Sequence, residues 1–135
     1  MFKSILIPVA IDHEPLIAQK IDLARKLMAP EGRITLLTVL EQIPAFAAEL
    51  VTPKVENHLT DKIRAKLREA AGDAADIDVA IAQGKAGVKI AEYADDNGTD
   101  LILVAAHHPN AMDYFLGSTA ARVARRAPCS VHIMR

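Results

Sequence analysis

The sequence predicts an α/β fold built on a five-stranded parallel sheet in the order 3-2-1-4-5. Three observations carry that prediction. Short apolar runs alternate with helix-period stripes along the chain, and this alternation implies parallel strands joined by right-handed crossovers. The runs at Ile5 to Val9, Ile34 to Leu40 and Leu101 to Ala106 are nearly continuously apolar or neutral, as strands covered on both faces are. The runs from Ile77 and from Cys129 alternate instead, which puts the third and fifth strands outermost.

Each element has its own signature. Ile5 to Val9 is β-branched and short, with Pro8 near its end, where a proline is tolerated. Ile17, Ile21, Ala24 and Met28 form a helical stripe flanked by Leu16, Leu23 and Leu27. Pro15 suits its first turn, and Pro30 with Gly32 is expected to close it. Ile34 to Leu40 reads as the second strand. Residues 41–51 read as a loop whose Ile43, Phe46 and Leu50 suit folding over something. Thr52-Pro53 is a cap and a permitted first-turn proline. Val55, Leu59, Ile63 and Leu67 then recur every four residues as an amphipathic helix ending near Gly72. Ile77, Val79 and Ile81 alternate with Asp78, Ala80 and Ala82. A third helix is expected from about Ala86 to Asp96, stopped by Asn97-Gly98. Leu101 to Ala106 is the fourth strand, His107 to Leu116 a loop, and Gly117 the start of a fourth helix. Cys129 to Met134 is the last strand. The result is a doubly wound, Rossmann-like or flavodoxin-like three-layer sandwich.

Composition narrows what such a domain can do. The chain has 135 residues, 51% apolar and 24% charged, with formal net charge −1. That is one domain's worth of polypeptide, large enough to hold a core without a disulfide or metal. We therefore expect one domain over residues 1–135. Near-neutral charge lacks the footprint of a nucleic-acid binder. No apolar run approaches the ~20 residues of a membrane span, and the N-terminus lacks a signal-peptide pattern. The single cysteine allows no internal disulfide and suits a reducing compartment. The expectation is a soluble cytoplasmic protein.

In a sheet of this order the ligand crevice lies beyond the carboxyl ends of the strands, where the connections reverse direction. That point falls between strands one and four, so Pro8 to Glu14 and Ala105 to Thr119 must line it. Gly117-Ser118-Thr119 opens the fourth helix there, with no Asp or Glu in its first turn and Arg122 one turn on. Free N–H groups, the positive helix end, a glycine and two hydroxyls suit a phosphate. The same tripeptide also reads as an ordinary capped helix start with water on its amides.

Other chemistry is thin. His107 and His108 follow strand four, and adjacent residues there point to opposite sides, so they make no chelating pair. No metal site is assigned. His107 could instead touch a bound phosphate. Cys129 reads as a buried inert thiol. Lys85-Ala86-Gly87 lacks P-loop spacing, and no nucleophile elbow occurs. No catalytic residue is assigned. Flavin binding suits the fold, but Ala10 to Pro15 holds no Ser, Thr or Gly for a phosphate loop.

Several segments together resemble a known family. They are Ile5-Leu6-Ile7-Pro8-Val9, Leu36-Leu37-Thr38-Val39, Gly84, Asp100-Leu101-Ile102, His107-His108-Pro109-Asn110, Tyr114-Phe115-Leu116-Gly117-Ser118-Thr119-Ala120 and Ala127-Pro128-Cys129-Ser130-Val131. The chain is similar over its whole length to the universal stress proteins, in their small single-domain branch. The resemblance implies the fold above, a homodimer through the last strand (129–134), and binding of ATP, ADP or AMP with little or no catalysis. By position, Pro8 and Val39 would border the base, with Val9 and Ala10 beside them in the cofactor-binding set. Ala105, Ala106, His107 and His108 would follow ribose and phosphates, with Ala105 and His108 at the glycine positions of a Gly-x2-Gly element. Gly117, Ser118 and Thr119 would bind phosphate. Nucleotide-binding members carry Asp where this chain has Ala10, and Asp12 is the nearest carboxylate. The Gly-to-Gly gap is also one residue shorter than in the commonest pattern. These departures leave an alternative, a nucleotide-free dimer engaging a protein partner through its dimer surface or loop 41–51.

Overall fold

Strands and helices alternate as the sequence predicts. The order is β1 (Phe2–Pro8), α1 (Ile17–Leu27), β2 (Met28–Leu40), α2 (Pro53–Ala71), β3 (Ile77–Gln83), α3 (Ala86–Asp96), β4 (Leu101–Ala105), α4 (Ser118–Arg126) and β5 (Ser130–Met134). A computed structural model describes residues 1–10, 16–41, 53–106 and 117–134. Pro15, the loop residues 42–51, Thr52, and the segment 107–116 with His107 and His108 lie outside the described residues. The strands form one parallel sheet in the order β3-β2-β1-β4-β5. The two alternating strands are its edges, as their patterns require.

Two cores sandwich the sheet. On one face, Ile5, Ile7, Ile34, Leu36, Ile77, Leu101 and Leu103 meet Ile21 and Ala24 of α1 and Ile63, Leu67 and Ala71 of α2. On the other, Leu6, Leu37, Ile102 and Val104 meet Ile90 and Ala94 of α3 and Ala120 and Val123 of α4. Period-2 alternation sends neighbours on a central strand to opposite cores, so both must be apolar. Ile5, Leu6 and Ile7 are all fully buried for that reason. A buried side chain of this size is worth about 1.5–3 kcal/mol.

Two boundaries and one buried stripe differ from expectation. Helix α1 ends at Leu27, and Met28 already belongs to β2, so Pro30 and Gly32 lie inside a strand and do not close the helix. The physical reason is a break in register: Phe2 pairs with Met28, but Ser4 pairs with Arg33, which leaves 29–32 as an irregular stretch that holds both breakers. β1 begins at Phe2, ahead of its apolar run, because Asp100 holds its start. The Asp100 carboxylate accepts from the Lys3 amide at 2.8 Å and the Ser4 amide at 2.9 Å. Leu59 continues the α2 stripe by spacing but is 48% exposed, whereas Ile63 and Leu67 are buried. The sheet is covered by the C-terminal half of that helix.

Helix α3 stops where Asn97-Gly98 predicts. Gly98 has φ +65°, the Asn97 amide donates to Tyr93 O, and the Thr99 amide reaches back to Ala94 O at 3.0 Å. This is a Schellman closure, for which a left-handed residue is needed. At the amino ends of the strands, paired contacts tie β3 to the rest. Arg25 grips Asp76 at 2.6 and 3.1 Å, and Arg33 grips Asp78 at 2.8 and 2.9 Å. Each guanidinium, chiefly through these hydrogen bonds, holds its aspartate below the usual carboxylate range.

Candidate crevice at the switch point

The carboxyl ends of β1 and β4 mark the point where the connections reverse. Helices α1 and α2 lie on one face and α3 and α4 on the other, so the helices that follow β1 and β4 cover opposite faces. β1 remains attached to β2 to its end. Pro8 pairs with Leu37, and the Val9 amide donates to Leu37 O at 2.8 Å. The Val9 carbonyl accepts the buried Thr38 hydroxyl at 3.0 Å. Val9 is buried and Ala10 exposed, and Val39 is half-buried against the α3–α4 core. The structure thus brings Pro8, Val9, Ala10 and Val39 together at the neighbouring ends of β1 and β2.

A second group forms beside β4. Ala105 pairs with Met134, and the Ala106 amide donates to Met134 O at 2.8 Å. The Ala106 carbonyl accepts the Gly117 amide at 2.6 Å, so the start of α4 is tied directly to the end of β4. Ala105 and Ala106 are thereby placed next to Gly117, Ser118 and Thr119. His107 and His108, between the two halves, lie outside the described residues.

The turn at Gly117 has a defined electrostatic character. Its first intrahelical bond runs from the Ala121 amide to Gly117 O. The amides of Ser118, Thr119 and Ala120 precede that bond and have no acceptor among the described residues. No side chain caps the helix, and its first turn contains no acid. Arg122, Arg125 and Arg126 add only positive charge. The Gly117 amide is already committed to Ala106, so the outward donors begin one residue later than the tripeptide suggests. Gly117 has φ −59° and ψ 154°, which any residue adopts. The backbone at this position does not call for glycine.

Two structural contributors were not evident in the sequence. Gly87, in the first turn of α3, lets α4 approach closely: an added Cβ would lie 2.6 Å from Arg122 Cβ. The stem of Arg122 thus lies across α3, on a different contact from the phosphate-facing one its spacing suggests. A glycine inside a helix is the signal that could have shown this. Thr38 is the other; its hydroxyl is buried and bonded to the Val9 carbonyl. Cys129 is half-buried, and burial first, then the Asp100 charge, pushes its thiol up. A protonated thiol is not a nucleophile.

An anionic group fits the start of α4. At the neighbouring ends of β1, β2 and β4, Pro8, Val9, Ala10, Val39, Ala105 and Ala106 offer no carboxylate. No described helix is long and apolar enough to cross a membrane.

Comparison with known proteins places the chain. The model of the universal stress protein family matches residues 1–135. Universal stress protein G of Escherichia coli O157:H7 is 26% identical over 144 residues, covering 100% of both chains. The same protein of Salmonella typhimurium is equally similar, at 26% with full coverage of both. Among solved structures, universal stress protein UspA from Lactobacillus plantarum superposes with TM-score 0.73 at 22% identity, over 98% of this chain and 97% of that one. A universal stress protein in complex with cAMP superposes with TM-score 0.71 at 21% identity, over 99% and 97%.

Proposed function

The chain belongs to the universal stress protein family, and from that premise we propose that it is a dimeric binding module for adenine nucleotides. The observation that carries this reading is the start of α4, an uncapped turn free of acids, fixed to β4 by the bond from Gly117 to Ala106. Phosphates would lie on the Ser118, Thr119 and Ala120 amides, where unpaired donors and the helix dipole favour negative charge. The base would lie between Pro8 and Val39. Ala10, Ala105 and Ala106 would line its path, and His107 and His108 the segment between. The cAMP complex of a structural neighbour supports the ligand class. ATP, ADP or AMP each presents the required anion.

The role is holding rather than turnover. The sequence offers His107 no partner to orient it as an acid–base group, which such catalysis needs within hydrogen-bond reach. The dimer would form through β5, an edge strand whose outward groups at Val131 and Ile133 have no partner among the described residues. A single cytoplasmic domain over residues 1–135 is consistent with this reading.

Titration calorimetry with ATP and AMP tests it. Both should bind; replacing Gly117 with valine should abolish binding, and Ser118→Ala should weaken it less. No heat at millimolar ligand for either nucleotide overturns the proposal. Ala10 and Ala105 favour a second reading, a nucleotide-free dimer that engages a protein partner. Partners captured equally by the parent and the Gly117→Val variant would support that reading.

A further inference from the structure

The seam between β1 and β4 differs from every other seam of the sheet. β1–β2 pairing continues to Pro8 and the Val9 amide, β2–β3 to Leu40 and Gln83, and β4–β5 to Ala105 and Met134. β1–β4 pairing consists of Ile5 with Leu101 and Leu6 with Ile102, and stops there. Its register would next pair Ile7 with Leu103 and Pro8 with Val104. The Val9 amide points to β2, and successive strand residues alternate, so position 8 presents its nitrogen to β4. In a parallel ladder an N–H there would reach the Leu103 carbonyl and serve both missing pairs. Proline has no N–H, and its ring fills the space the hydrogen would take.

Thr38 acts on the same point from the opposite side. Its hydroxyl, on a residue 4% exposed, donates to the Val9 carbonyl immediately after the proline. The chain leaving β1 is thereby bound to β2 twice, by the Val9 amide and by the Val9 carbonyl, while the bond that position 8 would donate to β4 is forbidden. We propose that Pro8 and Thr38 are a positioning pair: the proline ends the β1–β4 ladder two residues early, and the threonine ties the strand end to β2, so the crevice stays open at the switch point. The benefit to a ligand rests on the binding reading above; the missing ladder bond at position 8 does not. The two residues need act on no reacting atom to do this.

The test is Pro8→Ala in the full-length, ¹⁵N-labelled chain, followed by amide exchange and ADP titration. The amide at position 8 should exchange at least about a hundredfold more slowly than in an unstructured peptide, as a ladder bond would make it. ADP affinity should fall about tenfold, the worth of one hydrogen bond gained by the closed form. An unprotected amide at position 8 overturns the seam argument, whether or not the parent binds ADP. A protected amide with ADP affinity within twofold of the parent overturns the positioning role. If that variant does not fold, Thr38 decides. Thr38→Val should shift the Val9 carbonyl carbon resonance and weaken ADP several-fold, and Thr38→Ser should restore both. Equal behaviour of the valine and serine variants removes Thr38 from the pair.

Discussion

Replacing Thr119 with aspartate should strengthen the fold and weaken the ligand, two effects of opposite sign from one charge. Thr119 is exposed in the first turn of α4, which has no acid of its own. A carboxylate there complements the helix dipole and should add about 0.3–1 kcal/mol to stability. A phosphate on the neighbouring amides would stand about 5 Å from that carboxylate. At that separation two unit charges repel by about 0.8 kcal/mol in bulk water and about 3 kcal/mol at an effective dielectric of about 20. ADP affinity should therefore drop about 4- to 150-fold. Urea denaturation reads the first effect and calorimetry the second, with Thr119→Asn as the uncharged control. Raised stability with unchanged ADP affinity would mean that the anion lies elsewhere. Lowered stability would mean that the helix start is not the free, positive end described.

Three further outcomes follow from the fold. Asp100→Ala leaves the Lys3 and Ser4 amides without their acceptor, and loss of two charge-assisted bonds should cost about 2–4 kcal/mol in urea unfolding; a cost under about 0.5 kcal/mol would contradict the clamp. Asp76 is held low by Arg25, so its contribution is present above the unfolded-state carboxylate range near pH 4 and disappears as pH falls through the lower folded value. Asp76→Asn should therefore cost up to about 1 kcal/mol at neutral pH, discounted for exposure, and nothing near pH 2; a cost independent of pH would exclude the charge as its source. Gly87→Ala should destabilise by about 1–2 kcal/mol, because the Cβ overlap with Arg122 outweighs the better helix propensity of alanine; a gain in melting temperature would show that the two helices can separate freely.

The architecture was legible because it rests on patterns that packing enforces. Continuous apolar runs required two covered faces, alternating runs required edges, and Asn97-Gly98 required a left-handed stop. What the pattern missed was set by partners far along the chain. Asp100 extends β1 to Phe2 from 96 residues away, and local sequence around Phe2 carries no trace of that. Pro30 and Gly32 read as a helix stop, yet a slip in register against β1 lets a strand contain them. Leu59 has the right spacing but is exposed. At the site, the absence of acid in the first turn of α4 was readable directly. The commitment of the Gly117 amide to Ala106 was not, because it depends on how β4 and α4 meet. Pro8 was visible as a strand-ending proline, but its consequence appears only once β4 is known to lie beside it.

The most direct test of the central claim is an amide-resolved NMR titration of the full chain with ADP and, separately, with adenosine. ADP should move the Ser118, Thr119 and Ala120 amide resonances strongly, and adenosine, which lacks the anion, should leave them in place. Saturating ADP with those three amides unmoved would contradict the assignment of the α4 start as the phosphate-holding end of the crevice.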